Sequence, residues 1–557
     1  MLEIKIVSGL EKPFIDSSLD DYTKLTSISA LKGERITFEI IYRLIDDGDG
    51  LFLKRLRPTL YGGLAKYATL KNIKSVPVLM PGRHHIDDKE LLRTAPGLYP
   101  DVCIPLSYGG EIRPYVNQVG AILVDITVPE NYTAIGNREL TIEFTCPALD
   151  NKVIASASIF IDVIDAVLPE QSLIYTQWFH CDCLAHFYDT EMWSDKHWTI
   201  IESFVKTAVK NGINMILTPI FTPPLDTERF GERLTAQLVE VTKDDGRYCF
   251  DFSLLDKWMD VCKNAGIKYF EMSHLFTQAG AKNAPKIMGR ENGKYKRLFG
   301  WETDSSDKEY HVFLSNLIKA LVAHIDERGD LELCYFHISD EPRPEHLETY
   351  RMASRVIKEN IGKCKIMDAM SHVEFYNEKA VDVPVVYIGK IKDFLSSSIP
   401  ELWGYYCGQA AGISGNLIAM PSCRTRSIGM QLYKYGIAGL LQWGYNFYNN
   451  CDSVDSLNPY LDTSGEGWVS GGDTFAVYPG KNGDCLESLR IITTKAAIDD
   501  MRAMQLCETF YGKQAVIEAI ENLLGHEIDF STCVSTNEKM QAIREHLNSM
   551  IKKALDR

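Results

Sequence analysis

The sequence predicts a multidomain protein of mixed class: an N-terminal β-sandwich over 1–167, a TIM-like (β/α)8 barrel over 168–512 and a C-terminal helical appendage over 513–557. Three patterns carry this expectation. Apolar residues alternate with polar ones through the first part of the chain. Beyond about residue 172, short apolar runs alternate with longer stretches of helical period. From about residue 496 the pattern is helical and amphipathic, with Ile517, Ile520, Leu523 and Leu524 on one face.

The first part reads as strands. Apolar side chains fall on every second position in Arg35-Ile36-Thr37-Phe38-Glu39-Ile40-Ile41-Tyr42, in Leu140, Ile142 and Phe144, and from Val153 through Ala155, Ala157, Ile159 and Ile161 to Val163. Period two gives one wet and one buried face, as in antiparallel sheets. Gly, Pro and Asp turns between such runs, with little helical period, predict a sandwich. Leu168-Pro169-Glu170-Gln171 reads as the junction to the next domain.

Eight strand candidates follow: 173–179, 214–218, 268–272, 333–338, 365–370, 383–388, 402–407 and 439–443. Helical segments intervene at 198–211, 254–265, 309–328, 344–360 and 424–435, the second preceded by a capping Asp251-Phe252-Ser253. Repeated β-then-α order on this scale predicts a closed parallel barrel. An open doubly wound sheet is the rival, but no Gly-rich phosphate fingerprint follows an early strand. Insertions follow the second and third strands, at 221–250 and 276–307. The latter carries Lys282, Lys286, Arg290, Lys294, Lys296 and Arg297, which we read as a solvated loop.

Composition narrows the function. Against 59 basic residues stand 75 acidic ones, a formal charge of −16, which argues against a nucleic-acid partner. No apolar run approaches the ~20 residues of a membrane span. Met1-Leu2-Glu3-Ile4-Lys5-Ile6-Val7 alternates like a strand rather than a secretion leader, so a cytoplasmic location is expected. The 14 cysteines are diluted through apolar segments, which suits reduced thiols. His180-Cys181-Asp182-Cys183 lacks a second Cys or His pair at zinc-like spacing, so neither metal nor organic cofactor is expected. Nothing in the sequence fixes an oligomeric state.

In a barrel of this kind chemistry sits where strands end. The strand ends carry His180 and Asp182, Thr218, then Glu271, Ser273 and His274, then Asp340 and Glu341, Asp368, and Trp443, Tyr445 and Asn446. Tyr335-Phe336-His337-Ile338-Ser339-Asp340-Glu341-Pro342 is the most informative stretch, an apolar strand that stops at two acids, with Pro342 barring a further ladder bond. Ionising both together is costly, which raises one pKa and separates a proton donor from an anion, the division glycosidic cleavage needs. Asp326-Glu327 has the same letters but lies at a helix end before Arg328-Gly329, where a solvated terminus explains it.

An ordinary retaining pair sits on separate strands ~5–5.5 Å apart. Adjacent acids fit better with substrate assistance, in which the sugar's own 2-acetamido oxygen attacks the anomeric carbon. Candidate sugar-binding residues are Trp178, Trp403, Trp443, Tyr445 and Tyr448 at or after strand ends, with His180, Asp182, Glu271 and the turn residue Asp473. Alternation would send Trp443 and Tyr445 to the same side of the last strand. Two alternatives stand beside this reading: a glycosidase for another sugar with Asp182, Asp226 or Glu271 as nucleophile, and a non-catalytic carbohydrate-binding protein.

Gln177-Trp178-Phe179-His180-Cys181-Asp182, Ser339-Asp340-Glu341-Pro342 and Tyr478-Pro479-Gly480 resemble the signatures of glycoside hydrolase family 123, in the same order, across about 170–510. Members of known activity are β-N-acetylgalactosaminidases that work through a neighbouring group. The resemblance implies Glu341 as general acid/base, Asp340 as the residue that polarises the acetamido group, an oxazolinium intermediate and retained configuration. It also implies a carbohydrate or glycoconjugate as the partner.

Overall fold

The computed structural model describes residues 1–45, 55–83, 85–106 and 110–556. All eight expected barrel strands form, at Ile174–Gln177, Met215–Thr218, Tyr269–Met272, Cys334–Phe336, Lys365–Met370, Val383–Tyr387, Trp403–Tyr405 and Gly439–Gln442. They pair in parallel and close, the last bonding the first from Ile174 opposite Gly439 to Gln177 opposite Gln442. Met215, Leu217, Tyr335, Met367, Val383, Val385, Trp403 and Leu441 fill the interior, so the barrel is a packed core rather than a pore.

The intervening helices are set by their ends. Asp195–Lys210 starts where the Ser194 hydroxyl accepts the His197 N–H, and Lys308–Glu327 starts at Asp307, which takes two N–H groups. Ser253–Ala265 stops at Gly266, whose φ of 111° continues no helix. Its N-cap is Phe252, which has no side-chain cap bond; Asp251, one residue earlier, accepts the Ser253 N–H at 2.7 Å.

The N-terminal region is a two-sheet sandwich. One sheet orders Leu2–Ser8, Arg35–Leu44, Val119–Thr127, Ala68–Val78 and Gly97–Pro105; the other orders Ser27–Lys32, Lys152–Val167, Gly136–Cys146 and Arg57–Tyr61. Phe38, Ile40, Val124, Ile142, Phe144 and Ile161 pack between them. The larger sheet gains two strands from far along the chain, Cys485–Ser488 and Val477–Pro479, the former antiparallel to Gly97–Pro105. Its outer face packs on the barrel through Ile41, Val76, Val78 and Leu123. Burial on both faces explains why Arg35–Leu44 is buried nearly throughout despite its alternation.

Charges buried on that face find one another. Arg35 forks onto Asp125 at 2.7 Å through Nε and Nη2, and Nη2 also reaches Glu487 at 2.8 Å. Lys71 binds Asp125 at 2.5 Å and pairs with Glu487 as well, while Asn211, at the end of a barrel helix, donates to Glu487 at 2.9 Å. Burial alone would raise both carboxyls, but the facing Arg35 and Lys71 outweigh it and hold them below the usual carboxylate range. The stability they contribute is therefore complete above the ordinary carboxylate pKa and fades as pH falls through the depressed values.

The basic insertion is not the solvated loop the sequence suggests. The two insertions join as a four-stranded sheet of Arg247–Asp251, Glu240–Asp244, Ile287–Glu291 and Lys294–Phe299. Acidic partners explain the order: Glu232 takes Lys286 and Arg297, both at 2.6 Å, and Glu291 takes Lys296. At the C-terminus, Asn537–Leu555 packs on the smaller sandwich sheet, with Arg544 on Glu34 at 2.8 Å. No helix among the described residues is long and apolar enough to cross a membrane.

Replacing Arg35 by Ala leaves Asp125 and Glu487 buried without their main partner. Urea unfolding should then show a loss of about 3–5 kcal/mol, the cost of breaking a buried pair from one side. A loss below about 1 kcal/mol would mean that Lys71 and Lys210, the latter 2.9 Å from Glu487 and 3.4 Å from Asp125, suffice.

Candidate active site

The fourth barrel strand ends at Phe336, two residues earlier than its apolar pattern suggests, because the chain is captured by a side chain. Asp368, on the fifth strand, accepts the N–H groups of Ile338 and Ser339 at 3.1–3.2 Å in place of a backbone ladder. Ser339 fixes the turn further by donating to the Thr277 carbonyl at 2.7 Å. Glu341 then adopts a left-handed backbone, φ 41°, held by its N–H to the Ala369 carbonyl at 3.1 Å. That conformation costs a non-glycine residue about 1–3 kcal/mol. It also ends the extended alternation, so Asp340 and Glu341 lie near each other in unequal surroundings.

Asp340 is buried, 7% exposed, whereas Glu341 is exposed. Gln278, from the second insertion, donates to Asp340 Oδ2 at 3.1 Å and accepts the Asp226 N–H at 2.8 Å. The Tyr405 hydroxyl, at the end of the seventh strand, donates to Glu341 Oε1. Burial, then the Glu341 charge, pushes Asp340 well above the usual carboxylate range. Burial also raises Asp226 to about 6. Two adjacent acids in such unequal surroundings are the arrangement in which the roles of proton donor and anion can be divided.

Asp473 and an aromatic group border the same place. Asp473 accepts the Gly408 N–H at 2.9 and 3.0 Å and the Trp443 indole N–H at 3.4 Å, and burial raises it to about 6. The half-buried Trp443 lies 5.3 Å from Phe447 and 5.5 Å from Trp468 between ring centroids. Cys407 is within electrostatic reach of Glu341, Asp473, Asp340 and Asp226; burial, then these carboxylates, pushes its thiol up.

Beneath the acid pair lies a wholly buried trio. His337 bonds Asp368 through Nδ1 at 2.9 Å and Glu271 through Nε2 at 3.0 Å. Burial disfavours its charge, but the two carboxylates outweigh that and raise it to about 9. His274 stacks on it with centroids 4.2 Å apart and planes 20° apart. His274, His337 and Asp368 bring potential metal donors within 4.8 Å of one another. Stacked rings, however, send their in-plane lone pairs along parallel rather than convergent lines, and both His337 nitrogens are already taken. The donor set is that of an ion-paired relay.

Several sequence candidates are tied down by other partners. Trp403 begins its strand instead of ending it; fully buried, it packs on Tyr335 and donates to Glu401 at 3.1 Å, inside the barrel. Tyr445 and Trp443 do not share a side, because the last strand stops at Gln442 and alternation lapses. Tyr445 turns into the core and donates to the Phe204 carbonyl at 2.8 Å, and Tyr448 is likewise core. Glu271 is sealed beneath the surface, held by Thr176, by the Trp178 indole at 3.2 Å and by His337. Trp178 is thus a brace for the trio rather than an open wall. Asp182 is gripped at 2.8 and 3.0 Å by buried Arg233, so both of its oxygens are engaged. His180 bonds the Trp443 carbonyl at 3.2 Å and is lowered to about 4 by burial, then by Arg233. Of the proposed sugar contacts, Trp443 and Asp473 stand with the acid pair.

Gln278, Tyr405, Cys407 and Trp468 escaped the sequence reading. Tyr405 and Cys407 lie at a strand end and were accessible to the same rule that found Asp340. Gln278 and Trp468 lie in insertions with no periodic signal.

A closed barrel whose strand ends gather acids beside aromatic rings is an architecture suited to glycoside hydrolysis. The sequence matches the family model described as glycoside hydrolase 123, catalytic domain, over residues 178–507, more than half of the chain. The chain belongs to glycoside hydrolase family 123. It is similar in fold to a solved family 123 enzyme from Clostridium perfringens, at 14% identity and a TM-score of 0.72, covering 100% of this chain and 98% of that one. A β-glucuronidase from Bifidobacterium dentium aligns more remotely, at 10% identity and TM-score 0.33, over 90% of this chain and 66% of its own. No curated protein sequence matches the chain.

If Trp403 is a packing residue, Trp403→Ala should lower unfolding stability by about 3–5 kcal/mol while the folded fraction keeps its KM for a glycoside. A raised KM with unchanged stability would return Trp403 to the substrate site.

Proposed function

We propose that the protein removes a terminal β-linked 2-acetamido sugar, N-acetylgalactosamine, by a retaining, substrate-assisted route. The observation that carries this reading is the unequal pair: Asp340 buried and raised, Glu341 adjacent and open. The pair holds a proton between its members. An acetamido N–H donating to Asp340 favours its ionised form and leaves the proton with Glu341, which faces the leaving oxygen.

Glu341, steadied by Tyr405, protonates the glycosidic oxygen as the acetamido oxygen attacks the anomeric carbon. Asp340 stabilises the positive charge that develops on the amide, giving an oxazolinium. Water then adds with Glu341 as base, and two inversions retain configuration. Trp443, with Phe447 and Trp468 behind it, offers an apolar face to the sugar ring, and Asp473 accepts from its hydroxyls. The C. perfringens relative is described by its hydrolysis of glycolipid glycans, and we extend that substrate class to this chain.

On a 4-nitrophenyl 2-acetamido-2-deoxy-β-galactoside, Glu341→Gln should lower kcat about 10²–10⁴-fold, with a smaller loss on better leaving groups. Full activity in Glu341→Gln would remove it from the scheme. A substrate with hydroxyl in place of acetamido should turn over far more slowly. Equal rates would instead favour Asp226, beside the pair, as a conventional nucleophile.

A further inference from the structure

We propose that His337 is a positioning residue: gripped between Glu271 and Asp368, it supplies a buried positive charge that lets Asp340 ionise during turnover. The proposal rests on the reading that Asp340 must be an anion when the acetamido group attacks.

The geometry favours the charge. A neutral imidazole has one N–H and satisfies one ionised carboxylate; His337 has a carboxyl group on each nitrogen, at 2.9 and 3.0 Å, so with both acids ionised both nitrogens donate. Each carboxylate also accepts from other donors. Glu271 takes Thr176 and Trp178, while Asp368 takes Tyr350 at 2.5 Å and the N–H groups of Ile338 and Ser339. All three side chains are fully buried, so water cannot stand in for the imidazolium. Stacked His274 does not carry the charge instead, since burial and the cationic His337 both keep it neutral, and neither of its nitrogens has a partner.

Two structural links join the trio to Asp340. Asp368 holds the backbone immediately before Asp340, and its charge is among those acting on the Asp340 carboxyl. Asp340 already faces Glu341, Asp226 and Asp368, with Gln278 as its direct donor; Tyr405 and Cys407 lie nearby as neutral groups whose own ionisation burial opposes. With His337 cationic the trio carries a net charge of −1. Without that cation two buried anions stand below Asp340, and its proton becomes harder to remove.

The pH dependence of kcat on the aryl 2-acetamido galactoside tests this. Its acid limb marks protonation of Asp340. His337→Gln keeps a donor but loses the charge, so the limb should move up by about one pH unit, with KM little changed. Glu271→Gln can still accept from Trp178 and His337 through its amide oxygen and donate to the Thr176 hydroxyl, and it removes a negative charge, so its limb should move down. Opposite displacements support the proposal; a common displacement, or none in folded variants, overturns it. If His337→Gln does not fold, Glu271→Gln is decisive alone: a downward limb supports, an unmoved one overturns. Asp340→Asn separates the layers. Full activity there sinks the substrate-assisted reading itself, whereas an inactive Asp340→Asn beside an unmoved His337→Gln limb sinks only the role of His337.

Discussion

One buried carboxylate governs the mouth of this barrel. Asp368 intercepts the backbone leaving the fourth strand, and in doing so ends that strand, shapes the turn and fixes where the next two acids fall. A carboxylate in such a place is expensive unless its oxygens are filled and its charge is answered. Tyr350, two backbone N–H groups and His337 meet both conditions. The left-handed Glu341 can persist because the turn before it is over-determined. Strain at Glu341 and saturation beneath it are two sides of one construction.

The barrel was legible because each strand is an apolar run too short for a helix, flanked by segments of helical period. Those signals are local. The place of the 477–488 hairpin in the sandwich sheet was not legible, since the partner of its second strand lies nearly 400 positions earlier and no local pattern encodes such a pairing. The insertion sheet was hidden for another reason. Its basic residues look solvated in isolation, and only the fold brings Glu232 from the preceding insertion to neutralise them.

The acid pair could be read from sequence because its context was unusual: an apolar strand, two acids, a proline. The surrounding residues were harder. Alternation says that neighbours on a strand point apart, but not which side faces the mouth, and it fails once the strand ends. Trp403 and Tyr445 were misplaced for those two reasons respectively. Asp182 was misplaced because its counter-charge, Arg233, comes from an insertion about fifty residues away.

The sharing of a sheet between the two ends of the chain has a bearing on biosynthesis. The first sandwich sheet cannot acquire its last strands until Ser488 has emerged, so a nascent N-terminal half waits with an open edge and with Arg35 and Lys71 short of Glu487. Folding of this enzyme is therefore closer to a single post-translational event than to the beads-on-a-string order of independent modules. Excising the barrel as a stand-alone catalyst would cut through that sheet rather than between domains.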